Sequence, residues 1–217
     1  MKRAMAAAAA VVWTVWAADA EAQGVGGTAK IGTLGVGGDA TVGLFQNLNL
    51  RAGYNQFTYK DDVEFGDEDV DGEVDLETIP LLLDWHCFGG GFRLSAGAMV
   101  NNNEVQISAE PGDVLVLEGV PFTVQSLQGS VTFEEWSWYG GFGYGNAVGR
   151  DGRWHFACDF GVLFHGDPVV EARAVSSAPA VQPLLDAAVA AEVAELQDDL
   201  KDFTFYPVVS VGISLRF

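Results

Sequence analysis

From Thr28 onward, apolar and polar residues alternate with a period of two, the repeat of strands whose two faces meet different surroundings. In Leu48–Gln56 the apolar set is Leu48, Leu50, Ala52 and Tyr54, and the other face carries Asn49, Arg51, Gly53 and Asn55. Ile79, Leu81, Leu83 and Trp85 alternate with Pro80, Leu82 and Asp84, and Phe92, Leu94, Ala96, Ala98 and Val100 alternate with Arg93 to Asn101. Trp136–Gly145, Trp154–His165 and Val208–Phe217 read the same way, as does Leu34–Leu44 on its even positions.

A soluble β-sandwich also alternates, so the chemistry of each face decides. Every charge inside these strands, Asp39, Arg51, Asp84, Arg93, Asp159 and Arg216, falls on the face of small and polar residues. The opposite face is large, apolar and aromatic, without one charge. A barrel with lipid outside and polar groups inside requires that arrangement. The aromatics also sort by level. Tyr144, Trp154, Trp85, Phe92 and Phe217 lie beside short connections or the C-terminus, and Trp136, Trp138, Phe164 and Phe205 lie at the other strand ends. Two such belts match the girdles at the two membrane interfaces.

Connections are of two kinds. Phe45–Leu48, His86–Gly91 and Gly149–Gly152 are short, whereas Lys60–Asp75, Asn102–Gly129 and Gly166–Asp202 are long. Short turns face the periplasm in such barrels, which puts the C-terminus on that side. The fold expected is all-β, an antiparallel up-and-down transmembrane β-barrel of about eight strands, seven of them located. The segment 24–44 is long for one strand yet short for two crossings, and Val114–Gln125, interrupted by Pro121, reads as a loop excursion. Leu185, Val189, Val193, Leu196 and Leu200 at helical spacing predict one helix over Leu184–Leu200, packed in the last outer loop.

The N-terminus adds an export route. Lys2 and Arg3 precede the apolar run Ala4–Ala18, and Ala20-Glu21-Ala22 offers a cleavage site, with Ala18-Asp19-Ala20 as the alternative. The expected division is a signal peptide over residues 1–22 and a barrel domain over 23–217. The net charge of −19 is that of a chain that does not bind nucleic acid, since phosphates need basic partners. No later segment is apolar for 18 residues, so any crossing of a membrane is made by strands. Cys87 falls in a turn and Cys158 on the lipid face, so both read as small hydrophobes rather than a bridge.

With these features the segments Leu44–Tyr54, Leu81–Ser95, Phe142–Asn146 and Asp199–Phe217 resemble small proteobacterial outer-membrane β-barrel proteins of the OmpA-like type. The resemblance implies residence in the bacterial outer membrane, against lipid and lipopolysaccharide. It further implies that the last strand, ending on Phe217, is an assembly signal read by periplasmic chaperones and the barrel-assembly machinery. Unlike OmpA proper, the chain is expected to carry no peptidoglycan-binding domain after the barrel, so the resemblance does not imply anchoring to the cell wall.

Three constellations carry candidate chemistry. Arg51, Arg93 and Arg216 can neutralise Asp39, Asp84 and Asp159 in a narrow lumen, where unpaired charges are costly. Side chains fill the interior of a barrel of about eight strands, so a polar plug is expected and a small-solute or ion pore is the alternative. The segment Asp61–Glu77 holds ten carboxylates in 17 residues. Within it Asp67, Asp69, Asp71 and Gly72, with Asp75, match the start of a calcium loop, but Thr78 stands where the bidentate glutamate belongs. A solvated acidic loop with no cofactor is therefore expected. Ser137, His165 and Glu135 could serve as nucleophile, base and orienter of a lipid-modifying hydrolase, but they point away from the lipid face, so no enzyme is expected. The expected role is structural or surface-interacting.

Overall fold

The computed structural model describes residues 24–65, 68–117, 119–149 and 152–217. The expected signal peptide over 1–22 and the ligand candidate Asp67 lie outside them. In chain order the elements are β1 (Val25–Gly32), β2 (Gly35–Phe45), β3 (Leu48–Phe65), β4 (Glu68–Trp85), β5 (Phe92–Asn101), β6 (Glu104–Ala109), β7 (Val114–Leu117), β8 (Val120–Thr132), β9 (Trp136–Tyr144), β10 (Trp154–Phe164), β11 (Val169–Ser176), α1 (Gln182–Leu200) and β12 (Phe205–Arg216).

Eight strands close an antiparallel barrel in the order β1, β2, β3, β4, β5, β9, β10, β12. Closure is made by β12 against β1, from Gly26 opposite Arg216 to Gly32 opposite Ser210. The eighth strand is β1. Residues 24–44 are a hairpin, turned at Thr33–Leu34, and Gly35 takes the positive φ of +94° that a tight turn needs. β1 has only 8 residues and the turn only two, so two crossings fit into a span that looks like one.

The two faces are as the alternation predicts. Trp136, Trp138, Phe142, Tyr144, Trp154, Phe156 and Phe164 are exposed on the outside, while Arg51, Asp84, Arg93, Ser95, Ser137 and Asp159 are buried inside. The exposed set would be an aggregation surface in water, and lipid is the solvent that suits it.

Along β3 and β4 this polarity inverts. Outward positions run Leu48, Leu50, Ala52, Tyr54 and then Gln56, Thr58, Lys60. On β4 they run Trp85, Leu83, Leu81, Ile79 and then Glu77, Asp75, Glu73. Inward positions change the opposite way, from Asn55 and Thr78 to Phe57, Tyr59, Leu76 and Val74. The surroundings therefore change at the level of Tyr54 and Ile79, where Tyr54 donates a hydrogen bond to Glu77 at 3.1 Å. Above it, the former lumen side is the apolar side.

That apolar side belongs to a second layer. The three long connections are not simple loops: β4 is joined by β6, β8 and β11 to continue the sheet of β3 and β4, and β7 pairs with the start of β8. Val114–Gln125, expected as a loop excursion, is thus β7 and the first part of β8, with Pro121 near the strand start where a missing donor costs least. Helix α1 matches the expected span within two residues and lies on this sheet. Its Leu185, Ala188 and Val189 pack with Leu115, Leu117, Phe122, Val124 and Leu127 into a small core of their own.

Candidate functional site in the barrel lumen

Arginine 51 is the hub of the lumen. Its position on the inward parity of β3 aims it across the barrel, where its guanidinium meets three carboxylates. Nη1 and Nη2 donate to Asp159 Oδ2 and Oδ1 at 3.0 and 3.2 Å. Nη2 also donates to Asp84 Oδ1 at 3.0 Å, Nε lies 2.9 Å from Asp84 Oδ2, and Nη1 lies 3.4 Å from Asp39 Oδ2. Arg93 adds a 2.8 Å bond to Asp159 and a second to the Gly145 carbonyl. Ser95 donates to Asp84 at 2.5 Å, and Ser210 to Asp159 at 3.4 Å. The cluster thus neutralises its buried ions and hydrogen-bonds most of their polar atoms, with Arg93 Nε left without a hydrogen-bond partner.

Five of the six expected lumen charges meet here, and the sixth does not. Arg216 sits half-buried at the short-turn end, where Nη1 donates to the Gly149 carbonyl at 3.2 Å. Parity gave its face correctly; its depth, one residue from the chain end, puts it beyond the cluster. The third cation is Lys30 of β1, 2.8 Å from Asp39. It was missed because Val25–Gly32 is rich in Gly and small residues, although Thr28 and Lys30 alternate with Ala29 and Ile31. Three cations thus oppose three carboxylates.

Above and below this layer the lumen is also filled. On the long-connection side Leu34, Leu82, Met99, Tyr139, Leu163 and Val208 form an apolar cluster across the barrel. The Tyr139 ring lies against Gly161 of the neighbouring strand β10 and its hydroxyl against Gly141 of its own strand, and a Cβ at either position would collide with it. On the short-turn side Asn49 donates to His86 Nε2 at 3.0 Å and to Asn146 at 3.1 Å, and His86 Nδ1 donates to the Gly90 carbonyl at 2.9 Å. Burial pushes this histidine, in the turn after β4, below its usual range. The cavity left beside Arg51, Tyr139 and Leu34 is about 20 Å³. That is room for about one water molecule.

The other candidates lie elsewhere. Ser137 donates to the Glu134 carbonyl at 3.2 Å and His165 Nδ1 to the Gly166 carbonyl at 3.1 Å, so neither uses the other as a relay requires. His165 is instead buried edge-on against Phe133, 4.5 Å between ring centres. Asp71 and Asp75 lie on β4, opposite Asp62 and Thr58 of β3, with Gly72 between them opposite Asp61. A calcium loop turns sharply at its glycine so that its carboxylates converge. Here the glycine is inside a strand, and four residues of strand separate the two carboxylates by roughly 13 Å. Among the described residues no three His, Cys, Asp or Glu side chains group as a metal site. Cys87 and Cys158 are both free.

An apolar, aromatic exterior around an interior filled with paired charges defines a membrane-spanning β-barrel protein of eight strands. Solved structures share this fold, among them two from Acinetobacter baumannii. One is the Acinetobacter baumannii protein CarO2, 18% identical, with a TM-score of 0.59 over 91% of this chain and 100% of that one. The other is Acinetobacter baumannii CarO, 20% identical, with a TM-score of 0.58 over 89% and 98% of the two chains. No family profile matches the sequence, and no curated protein matches it either.

Proposed function

We propose that this chain is an outer-membrane β-barrel whose lumen is plugged by its own side chains. Its role is to hold the acidic sheet and helix outside the cell, as a structural or surface-interacting protein. The plug is the observation that carries the reading: the ion layer, the apolar layer and the Asn49–His86 layer leave about 20 Å³ near the hub. A hydrated ion or small solute needs a continuous wide path, and an eight-stranded barrel packed in this way has none to give. The two aromatic levels and the closure of the barrel by β12 against β1 support the outer membrane as its home, with lipopolysaccharide and the assembly machinery as its partners there.

Planar-bilayer recording on refolded full-length protein tests the reading. The wild type should give no discrete conductance steps, and Arg93→Ala should give leak or unfolding without ion selectivity. Reproducible, selective steps from the wild type would make the barrel a pore instead.

A further inference from the structure

The sheet above the barrel has two edges, and the fold treats them differently. At one edge, α1 runs along β11 and two of its glutamines cap the strand. Gln182 accepts from Ser176 N at 2.7 Å and donates to the Ala174 carbonyl at 3.0 Å. Gln197 accepts from Val170 N at 3.0 Å and donates to the Pro168 carbonyl at 2.7 Å. At the other edge lies β3. Its partner β2 ends opposite Gln56, and among the described residues no strand pairs with that side of β3 from Phe57 to Phe65.

The groups aimed into this space can be assigned. Glu77 of β4 accepts from Asn102 N and donates to the Asn103 side chain, both at 2.9 Å, so its backbone points away from β3. Backbone direction alternates along an antiparallel strand. Leu76, Val74 and Gly72 therefore bond to Phe57, Tyr59 and Asp61 of β3. The N–H and C=O groups of Thr58 and Lys60, and of positions 62 and 64, then face the open side. Beneath them β1 and β2 stop at their turn, which leaves a gap in the wall about 14 Å wide between β3 and β12, three strand spacings.

This edge is guarded by acidic charge, but not by a proline or an outstretched lysine. No proline occurs in Phe57–Phe65, and the Lys60 ammonium is drawn back over the sheet to Glu73, 2.8 Å away. Phe57 and Tyr59 are stacked at 6.4 Å and are 44% and 52% exposed. Residues 57–76 carry nine carboxylates and a single lysine, which opposes pairing with a second copy of the same edge. We infer that the open edge of β3 takes up an extended polypeptide segment of a partner, one alternating basic with apolar or aromatic residues. Its backbone would continue the ladder, its apolar face would cover Phe57 and Tyr59, and its basic residues would answer the acidic hairpin. This deepens the surface-interaction reading above and rests on it.

The test uses refolded full-length protein in micelles and a labelled nine-residue peptide alternating Lys with Val and Tyr, followed by fluorescence anisotropy. The expected result is saturable binding that weakens about tenfold in Thr58→Pro/Lys60→Pro, which removes two edge donors while sparing the β3–β4 ladder. Thr58→Ala/Lys60→Ala should bind at least as well as wild type. A peptide with the same side chains but N-methylated on alternate residues should lose the same tenfold. If the N-methylated peptide or the proline variant binds unchanged, contact is electrostatic only and the proposal is overturned. Self-association abolished by the same prolines, without peptide binding, would give the edge to a second copy and overturn it too. None of these outcomes depends on conductance, which judges the plugged-barrel reading separately.

Discussion

Arg51 holds three carboxylates that no single other residue could hold, because it alone lies within 3.4 Å of Asp39, Asp84 and Asp159 together. Arg51→Met should therefore cost about 3–5 kcal/mol of stability, the scale for stripping a buried ion of its partner. Urea unfolding of the refolded protein, followed by gel mobility of the folded form, checks this. Arg216→Ala, which removes one bond to a turn carbonyl, should stay within about 1 kcal/mol of wild type. The two arginines also show what alternation can tell. Period two gives the face of a side chain, so Arg51, Arg93, Asp39, Asp84 and Asp159 were legible as inward charges. It does not give height along the barrel axis, so Arg216 was grouped with charges that it does not reach. Lys30 was invisible for a different reason: Ile31 apart, its strand is mostly glycine and small residues that mark no face.

At the scale of elements, strands with bulky outer residues were legible and the glycine-rich hairpin of β1 and β2 was not. Its turn, Thr33–Leu34, has no Asn-Gly or Asp-Gly signal, and only the positive φ at Gly35 reveals why the chain can reverse there. Helix α1 was legible because Leu185, Val189 and Val193 share one face whatever they pack against. What it packs against was not, since β6, β8 and β11 come from two separate connections and pair at long range. That packing gives a separable stability. Leu185→Ala should cost the outer sheet and helix about 2–5 kcal/mol, as other buried leucines do. Trypsin should then cut within residues 166–204 much faster, while the barrel keeps its heat-resistant gel mobility.

For the molecule as a whole, the inversion of faces along β3 and β4 marks where lipid ends. A hydrophobic pattern read in one parity throughout would put Phe57 and Tyr59 in the lumen; they instead lie over the barrel, facing the side where α1 and its sheet pack. In a Cys87→Ala/Cys158→Ala background, Glu73→Cys should react with a membrane-impermeant maleimide on intact cells, and Leu81→Cys should not. Labelling of both, or of neither, would move the boundary away from Tyr54 and Ile79.

The outer core also constrains the order of events during assembly. Phe122, Val124 and Leu127 come from one connection and Leu185, Ala188 and Val189 from another, and β10 lies between them in the chain. Neither connection can bury its apolar residues until both have reached the same side, so each must cross the membrane unfolded. Strand β12 follows α1 in sequence, and its pairing with β1 joins residues nearly the whole chain apart. Such distant pairing carries a large loop-closure cost and slows folding. The compact outer layer should thus appear in the same late phase as closure of the barrel, and a stalled intermediate should expose both an open seam and an unfolded, protease-sensitive exterior.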